Sequence, residues 1–475
     1  MQITNIKAQI VTFLGVLLGG IAISIYANSS NLHLVPLIFI PITYVVLFVL
    51  LLRLIKYITS PGLLVVNALY FLRYYVLPLS IIVYMPSSYI AQYASGTWLL
   101  LYEEFFAFAA FFFYLSRRKQ TTKLSVNTKN FGIELKYVNR IFLVLCLLCF
   151  FLFLYKPSLY DSYNLITNVG GGLVEEVLSR KDEVQMSALD NLAGMLIFAT
   201  YLMLPVYVGL VLFSKYKKNP SSLNFKLALI IPLLVSLLFI VDTDRGGVVH
   251  RAATMIFFLV RLYPQNKNKI IKWTYIPAGI LVVYMIFSRL WDDDDVSAVT
   301  DQVDTNALLI EYLQGYLANI KNCTEAINAY LAYGNYVTIF TPISDVLGNI
   351  PLLSHLSDAK NNCNYFYASS IMRNDQVLPL VGNGLFYFGP LLSPILVFFS
   401  VKLLFKAEEL YQKESNPLGI YVYAYVAIQL AFCHYQNVQL IFLYLACMIA
   451  PIWIIFKFVK AMSKQQYHQL IISKR

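Results

Sequence analysis

Apolar residues in this chain come in long unbroken blocks, with no strict alternation and few amphipathic stripes. A block that crosses a ~30 Å hydrocarbon core needs about 20 residues. Twelve blocks approach that length, at roughly 9–27, 34–52, 62–85, 97–115, 139–155, 191–214, 225–241, 247–262, 273–288, 384–405, 418–435 and 438–458. The pattern predicts an all-α polytopic membrane protein of about 12 transmembrane helices. The first block lacks a small-residue cleavage site and is followed by further spans, so it reads as an anchor and not as a removed signal.

One polar stretch, Arg289 to Asn383, interrupts the series between the ninth and tenth blocks. The chain therefore divides into spans one to nine over 1–288, a large loop over 289–383, and spans ten to twelve with a basic tail over 384–475. Within the loop, Leu308, Leu309, Tyr312, Leu313, Tyr316, Leu317 and Ile320 recur at helical spacing, predicting a helix over Thr305 to Tyr333. Pro342, Gly348 and Pro351 then break the pattern. Short helices lying on the outer membrane face are expected here. A smaller loop at 156–190 carries Gly170, Gly171 and Gly172, a flexible turn, followed by a short amphipathic run over Val174 to Val184. No internal repeat relates the two halves, which weighs against the paired-repeat plan of secondary transporters.

Composition agrees with the blocks: the chain is 59% hydrophobic and 13% charged, where a soluble domain carries about 25% charged residues. The net charge of +11 could suggest nucleic acid, but its placement argues otherwise. With both termini cytoplasmic, the inner loops hold 26 of the 36 Lys and Arg, and the outer loops hold 19 of the 25 Asp and Glu. That is the positive-inside pattern, so the basic excess sets topology and a nucleic-acid partner is excluded. Cys146 and Cys149 form a CxxC inside an apolar span and read as inert thiols. Cys323 and Cys363 share the large loop, where an oxidising compartment permits a disulfide without requiring one.

Ionisable groups inside a membrane are functional hypotheses by default. Arg73 sits near mid-span among aromatic and aliphatic residues, with Glu103 or Glu104 of the next span as its partner. It is either a buried ion pair that fixes helix packing or a guanidinium facing a cavity that grips an anion. A second constellation, Asp242-Thr-Asp244-Arg245-Gly246-Gly247-Val-Val-His250-Arg251, forms a short outer turn opening a span. Free N–H groups at such a helix start favour an anion, and Arg245 there opposes the macrodipole unless an anion binds. A plain turn with a snorkelling arginine is the competing reading. The outer loops add Arg180, Arg289, Lys321, Lys360 and Arg373 as cations, with Asp345, Asp358 and His355 as groups able to take a proton. Asp292 to Asp295 read as a solvated run. No metal-ligand spacing, P-loop, GxGxxG or GxSxG occurs, so neither a metal nor another cofactor is expected.

The layout resembles the bacterial O-antigen and capsule repeat-unit polymerases, the Wzy class. The resemblance rests on many spans with one dominant late outer loop, the Arg245-Gly246-Gly247 turn, and the aromatic stretch Tyr74-Tyr-Val-Leu-Pro78. It rests also on the re-entry Leu378-Pro379-Leu-Val-Gly382-Asn-Gly384-Leu-Phe-Tyr387-Phe388-Gly389-Pro390. Pro390-Leu391-Leu392 departs from the family, which often has another small residue there. The resemblance implies an enzyme of the bacterial cytoplasmic membrane with its active site facing outward. Such an enzyme transfers a growing glycan from undecaprenyl pyrophosphate to a hydroxyl of the next lipid-linked unit, without metal. A flippase and a chain-length regulator are the protein partners such an enzyme would take. On this reading Arg245, Arg251 and Arg73 face the pyrophosphate, backed by Arg289, Arg373 and Arg180. His355, Asp345 or Asp358 takes the acceptor proton. Tyr333, Asn335, Tyr336, Asn361, Asn362, Asn364, Tyr365 and Tyr367 offer sugar-facing groups, or serve only as interfacial anchors. The rival functions are a glycan ligase with the same pyrophosphate grip, a flippase for the lipid-linked unit, and a scaffold without chemistry.

Overall fold

The computed structural model describes residues 34–52, 61–117, 126, 131–155, 188–238, 245–273, 305–348, 350, 353, 360–372 and 376–472. Regular structure among them is helical, with no strand. In chain order the helices used below are α1 (Leu34–Leu52), α2 (Pro61–Tyr84), α3 (Ser87–Gln92), α4 (Ala94–Arg117) and α5 (Phe131–Tyr155). Then come α6 (Ala188–Lys218), α7 (Ser222–Leu238), α8 (Arg245–Leu262), α9 (Thr305–Leu317), α10 (Ile320–Tyr333), α11 (Thr341–Leu347) and α12 (Cys363–Ile371). The chain closes with α13 (Leu380–Leu392), α14 (Ile395–Lys413), α15 (Pro417–Phe432) and α16 (Val438–Gln466).

Six described helices are long and apolar enough to cross a membrane, or seven if α13 and α14 count together as one span. The protein is thus a helical membrane protein. Of the expected spans, 9–27 and 273–288 lie outside the described residues. Those at 34–52 and 225–241 form helices whose apolar parts, Val35–Val49 and Ser222–Ser236, are short. The block at 247–262 is helical but carries His250, Arg251 and Arg261, which lower its apolarity.

Two apolar cores share one central helix. The first joins α1, α2, α4 and α14 through Ile40, Leu63, Tyr70, Ala107, Phe111, Val401 and Leu404. The second joins α6, α8, α15 and α16 through Met203, Val206, Phe258, Tyr421 and Phe456. Helix α15 gives Ala427 and Leu430 to the first and Tyr421 and Ala424 to the second. A helix apolar all round belongs in the interior, and α15 is its clearest case here. Its start is set locally by Pro417 and by Asn416, whose side chain accepts from Gly419 N at 3.1 Å. By contrast α5 leaves Leu143, Val144, Phe150, Phe151 and Leu154 exposed, the surface a bilayer would cover.

Two expectations about continuity are corrected. The block 384–405 is not one straight span: α13 and α14 meet at a 117° bend. Gly389 takes φ +74°, ahead of Pro390, which cannot continue the α13 hydrogen bonding. The returning chain lies so close that a Cβ on Gly384 would sit 1.9 Å from the Ser393 carbonyl oxygen. The helix expected over Thr305 to Tyr333 is likewise two helices. Ala318 takes φ +46° between α9 and α10, and the joint dips inward until Ala318, Asn319 and Ile320 are fully buried. The start of α10 is therefore packed among the spans and does not lie on a membrane face.

Candidate functional site

Helix α2 widens to a π-turn over Phe71–Val76. Such turns shift side-chain register and recur at functional positions. Here the turn carries Arg73, with no exposure, against Glu103 of α4. Arg73 Nη1 donates to Glu103 Oε1 at 3.1 Å and Nη2 to Oε2 at 2.7 Å, a bidentate pair. Nη1 also donates to the His434 carbonyl at 3.1 Å and Nη2 to the Ala318 carbonyl at 2.9 Å. Asn319 Nδ2 returns a bond to the Arg73 carbonyl at 2.8 Å. The joint between α9 and α10 is thus tied to the ion pair from both sides. Glu104 takes no part, accepting instead from Thr43 Oγ1 of α1 at 2.7 Å. Arg73, read from the sequence as either an ion-pair partner or an anion-gripping arginine, is paired here with Glu103, and its Nε is left without a partner.

Arg251 of α8 is the opposite case. It is 7% exposed, and among the described residues no hydrogen bond or ion pair holds it; its Nε is buried without a partner. The neighbouring Tyr421 hydroxyl of α15 is also buried and unpartnered. His250, one residue before, packs its ring on Phe432 at 4.1 Å and on Tyr444 at 6.0 Å. Arg245 opens the same helix, about 9 Å along the axis from Arg251 by a rise of about 1.5 Å per residue. The first half of α8 thus carries Arg245 and Arg251, with Arg261 in the last turn, and Arg251 has no counter-charge among the described residues.

Asp345 of α11 is fully buried. Its Oδ2 accepts from the Tyr387 hydroxyl of α13 at 2.5 Å. Its Oδ1 accepts from Gln439 Nε2 of α16 at 3.0 Å and from Cys363 N, the first residue of α12, at 3.1 Å. Burial pushes this carboxyl above the usual carboxylate range, against the lowering effect of those donors. The Cys363 thiol beside it is raised by burial and by the Asp345 charge. Helix α16 relates this carboxylate to the arginine helix. Gln439 and Tyr444 lie five residues apart on it, about 7–8 Å along the axis, one touching Asp345 and the other His250.

Comparison with protein-family models, with curated proteins and with solved structures gives no match. The geometry therefore stands alone in assigning roles. His355, Asp358, Arg180, Arg289 and Arg373 lie outside the described residues, and so does the side chain of Arg245. Lys321 pairs with Glu311 at 2.6 Å, and Lys360 is exposed. Cys323 and Cys363 are both free and buried, so the permitted disulfide is not formed. Cys146 is exposed on α5, while Cys149 is buried against Thr200 of α6. Among the described residues no group of three or more His, Cys, Asp or Glu could hold a metal ion.

Sequence reasoning missed four participants. Tyr387 and Gln439, the side-chain donors to Asp345, come from helices 42 and 94 residues away. His434 links Tyr70 Oη (2.6 Å to Nδ1) with Ser400 Oγ (2.7 Å to Nε2), bridging α2 and α14 behind the ion pair. Glu325 binds the Tyr367 hydroxyl at 2.8 Å. Only Tyr387 carried a usable signal, standing two residues before the Gly389-Pro390 break.

Proposed function

We propose that this chain is a membrane glycosyltransferase of the repeat-unit polymerase type, spanning the cytoplasmic membrane with the α9–α12 end outward. It moves a growing glycan from undecaprenyl pyrophosphate to a hydroxyl of the next lipid-linked unit. The observation that carries this reading is Arg251: a buried guanidinium with no counter-anion among the described residues, on the helix that Arg245 opens. A permanently charged planar cation in low dielectric is suited to a pyrophosphate whose charge grows as it departs.

The reaction balances without a metal. The bond from the anomeric carbon to the pyrophosphate oxygen breaks, and a bond from that carbon to the acceptor oxygen forms. Lipid pyrophosphate leaves toward Arg251 and Arg245, and the hydroxyl proton passes to a carboxylate. Asp345 is the described group best placed for that step, because its raised pKa makes it the stronger base. Its carboxylate is closed by Tyr387, Gln439 and Cys363 N, so an acceptor hydroxyl reaches it by displacing one of these donors.

A strain lacking this chain tests the reading through the banding of its surface polysaccharide. Glycan capped at a single repeat unit is the expected result. Repeat units accumulating on carrier lipid at the inner face would identify a flippase instead and overturn it.

A further inference from the structure

A second polar assembly lies at the α9–α12 end, built on different residues from the Asp345 and Arg251 sites. The first turn of α10 is pressed onto α4 so tightly that a Cβ on Gly96 would lie 2.0 Å from the Ile320 carbonyl oxygen. Thr324 Oγ1 fastens the contact, accepting from Gly96 N at 2.9 Å and donating to the Tyr93 carbonyl at 3.1 Å. This close approach sets Lys321 and Glu325 of α10 beside Tyr89 and Tyr93.

The side chains then interlock. Gln314 Nε2 donates to the Tyr89 hydroxyl at 2.8 Å, and Lys321 pairs with Glu311. Tyr367 donates to Glu325, while Asn322 Nδ2 reaches Tyr367 Oη at 3.4 Å and Gln376 Oε1 at 3.3 Å. The Tyr89 and Tyr93 phenols are raised by burial first, and the charges of Glu311 and Glu325 raise both further. Their rings meet edge to face at 4.6 Å. The patch reaches the surface, since the Glu311 side chain is 45% exposed.

Two groups in this patch are unfinished. Gln314 Oε1 and Asn322 Oδ1 are amide oxygens on fully buried residues, and neither has a hydrogen-bond partner. A buried acceptor without a donor is costly and calls for an explanation. Two orphan acceptors, two carboxylates and a pair of tyrosine rings together suit a ligand rich in hydroxyl donors with an apolar ring face. Among the described residues, one lysine against two glutamates leaves the patch net negative, which disfavours an acidic ligand.

We propose that this patch is a sugar-binding subsite that takes an uncharged or amine-bearing pyranose and rejects a uronic acid. It deepens the polymerase reading and rests on it, holding one sugar of a repeat unit away from the departing pyrophosphate.

The test is saturation-transfer NMR on the full-length protein in detergent, with the methyl glycosides of glucose, galactose, glucosamine, N-acetylglucosamine and glucuronic acid as probes. Transfer to at least one uncharged or amine-bearing probe is expected, with less to the glucuronide. Glu325→Gln and Tyr367→Phe each weaken that binding roughly tenfold, the loss of one hydrogen bond to a charged group. Glu311→Gln, at a part-exposed carboxylate, is the second variant should those two fail to fold, and it raises binding of the glucuronide. No transfer to any uncharged or amine-bearing probe, transfer unchanged in every folded variant, or preference for the glucuronide overturns the subsite. The readout needs no chain growth. Sugar binding by a chain that does not polymerise would overturn the polymerase reading alone, and polymerisation without such binding would overturn the subsite alone.

Discussion

Two arginines among the described residues are buried in the helical body, and they have opposite surroundings. Arg73 meets Glu103 in a bidentate pair and gives its remaining terminal hydrogen bonds to two carbonyls. Arg251 lies nearly as deep, yet has no described hydrogen-bond partner or counter-charge. A buried pair is neutral overall and acts as a fastener, here joining α2, α4 and the joint before α10. A buried cation without an anion is a standing cost that a bound anion would relieve. The difference separates a structural charge from an available one, although both carry the same side chain.

The sharpest way to break the comparison is to remove one charge at a time. Arg73→Leu or Glu103→Leu strands the partner charge and should cost about 3–5 kcal/mol, read as loss of folded protein in detergent melts. The double variant should recover most of that loss; equal damage in all three would deny the pair its fastening role. Arg251→Gln should leave melting unchanged or slightly raised, while chain growth falls by about 100-fold or more, the scale for loss of one stabilising donor. Destabilisation as large as that of Arg73→Leu would erase the distinction.

The bend offers a control that alters neither arginine. Gly384→Ala forces a methyl toward the Ser393 carbonyl and should cost about 1–3 kcal/mol, with chain growth falling as α13 carries Tyr387 away from Asp345. Unchanged growth and stability would show that the bend does not hold the carboxylate site.

Asp345 gives the smallest expected effect, through pH. Its carboxyl is raised in the folded protein, so the fold binds its proton more tightly than the unfolded chain does. The associated stability is full below the ordinary carboxylate value of about 3.9 and is lost as pH rises through the folded value. Asp345→Asn should flatten that part of the stability profile. An unchanged slope would mean that other groups carry it.

What the sequence made legible follows from where the information sits. Apolar blocks are local, and α2, α4, α5, α6, α15 and α16 lie where the blocks predicted. The α9–α10 break was hidden because its stabilising contacts come from Arg73, more than 240 residues earlier, and nothing near Ala318 announces them. Glu103 and Glu104 could not be told apart because adjacent helical residues differ only by about 100° of rotation. Which faces the arginine depends on where α1 and α2 pack. Gly389 and Pro390 marked a re-entry, but not its 117° angle, which brings Ser393 against Gly384. Arg251 was visible as a charge in an apolar block; its lack of a partner among the described residues could be read only from the packed helices.

The most direct measurement compares surface-polysaccharide banding in strains carrying Arg251→Gln or the Arg73→Leu/Glu103→Leu double variant, at matched membrane protein levels. The account predicts single-unit glycan for Arg251→Gln and a ladder of longer chains for the double variant. Full-length polymer from Arg251→Gln would contradict it.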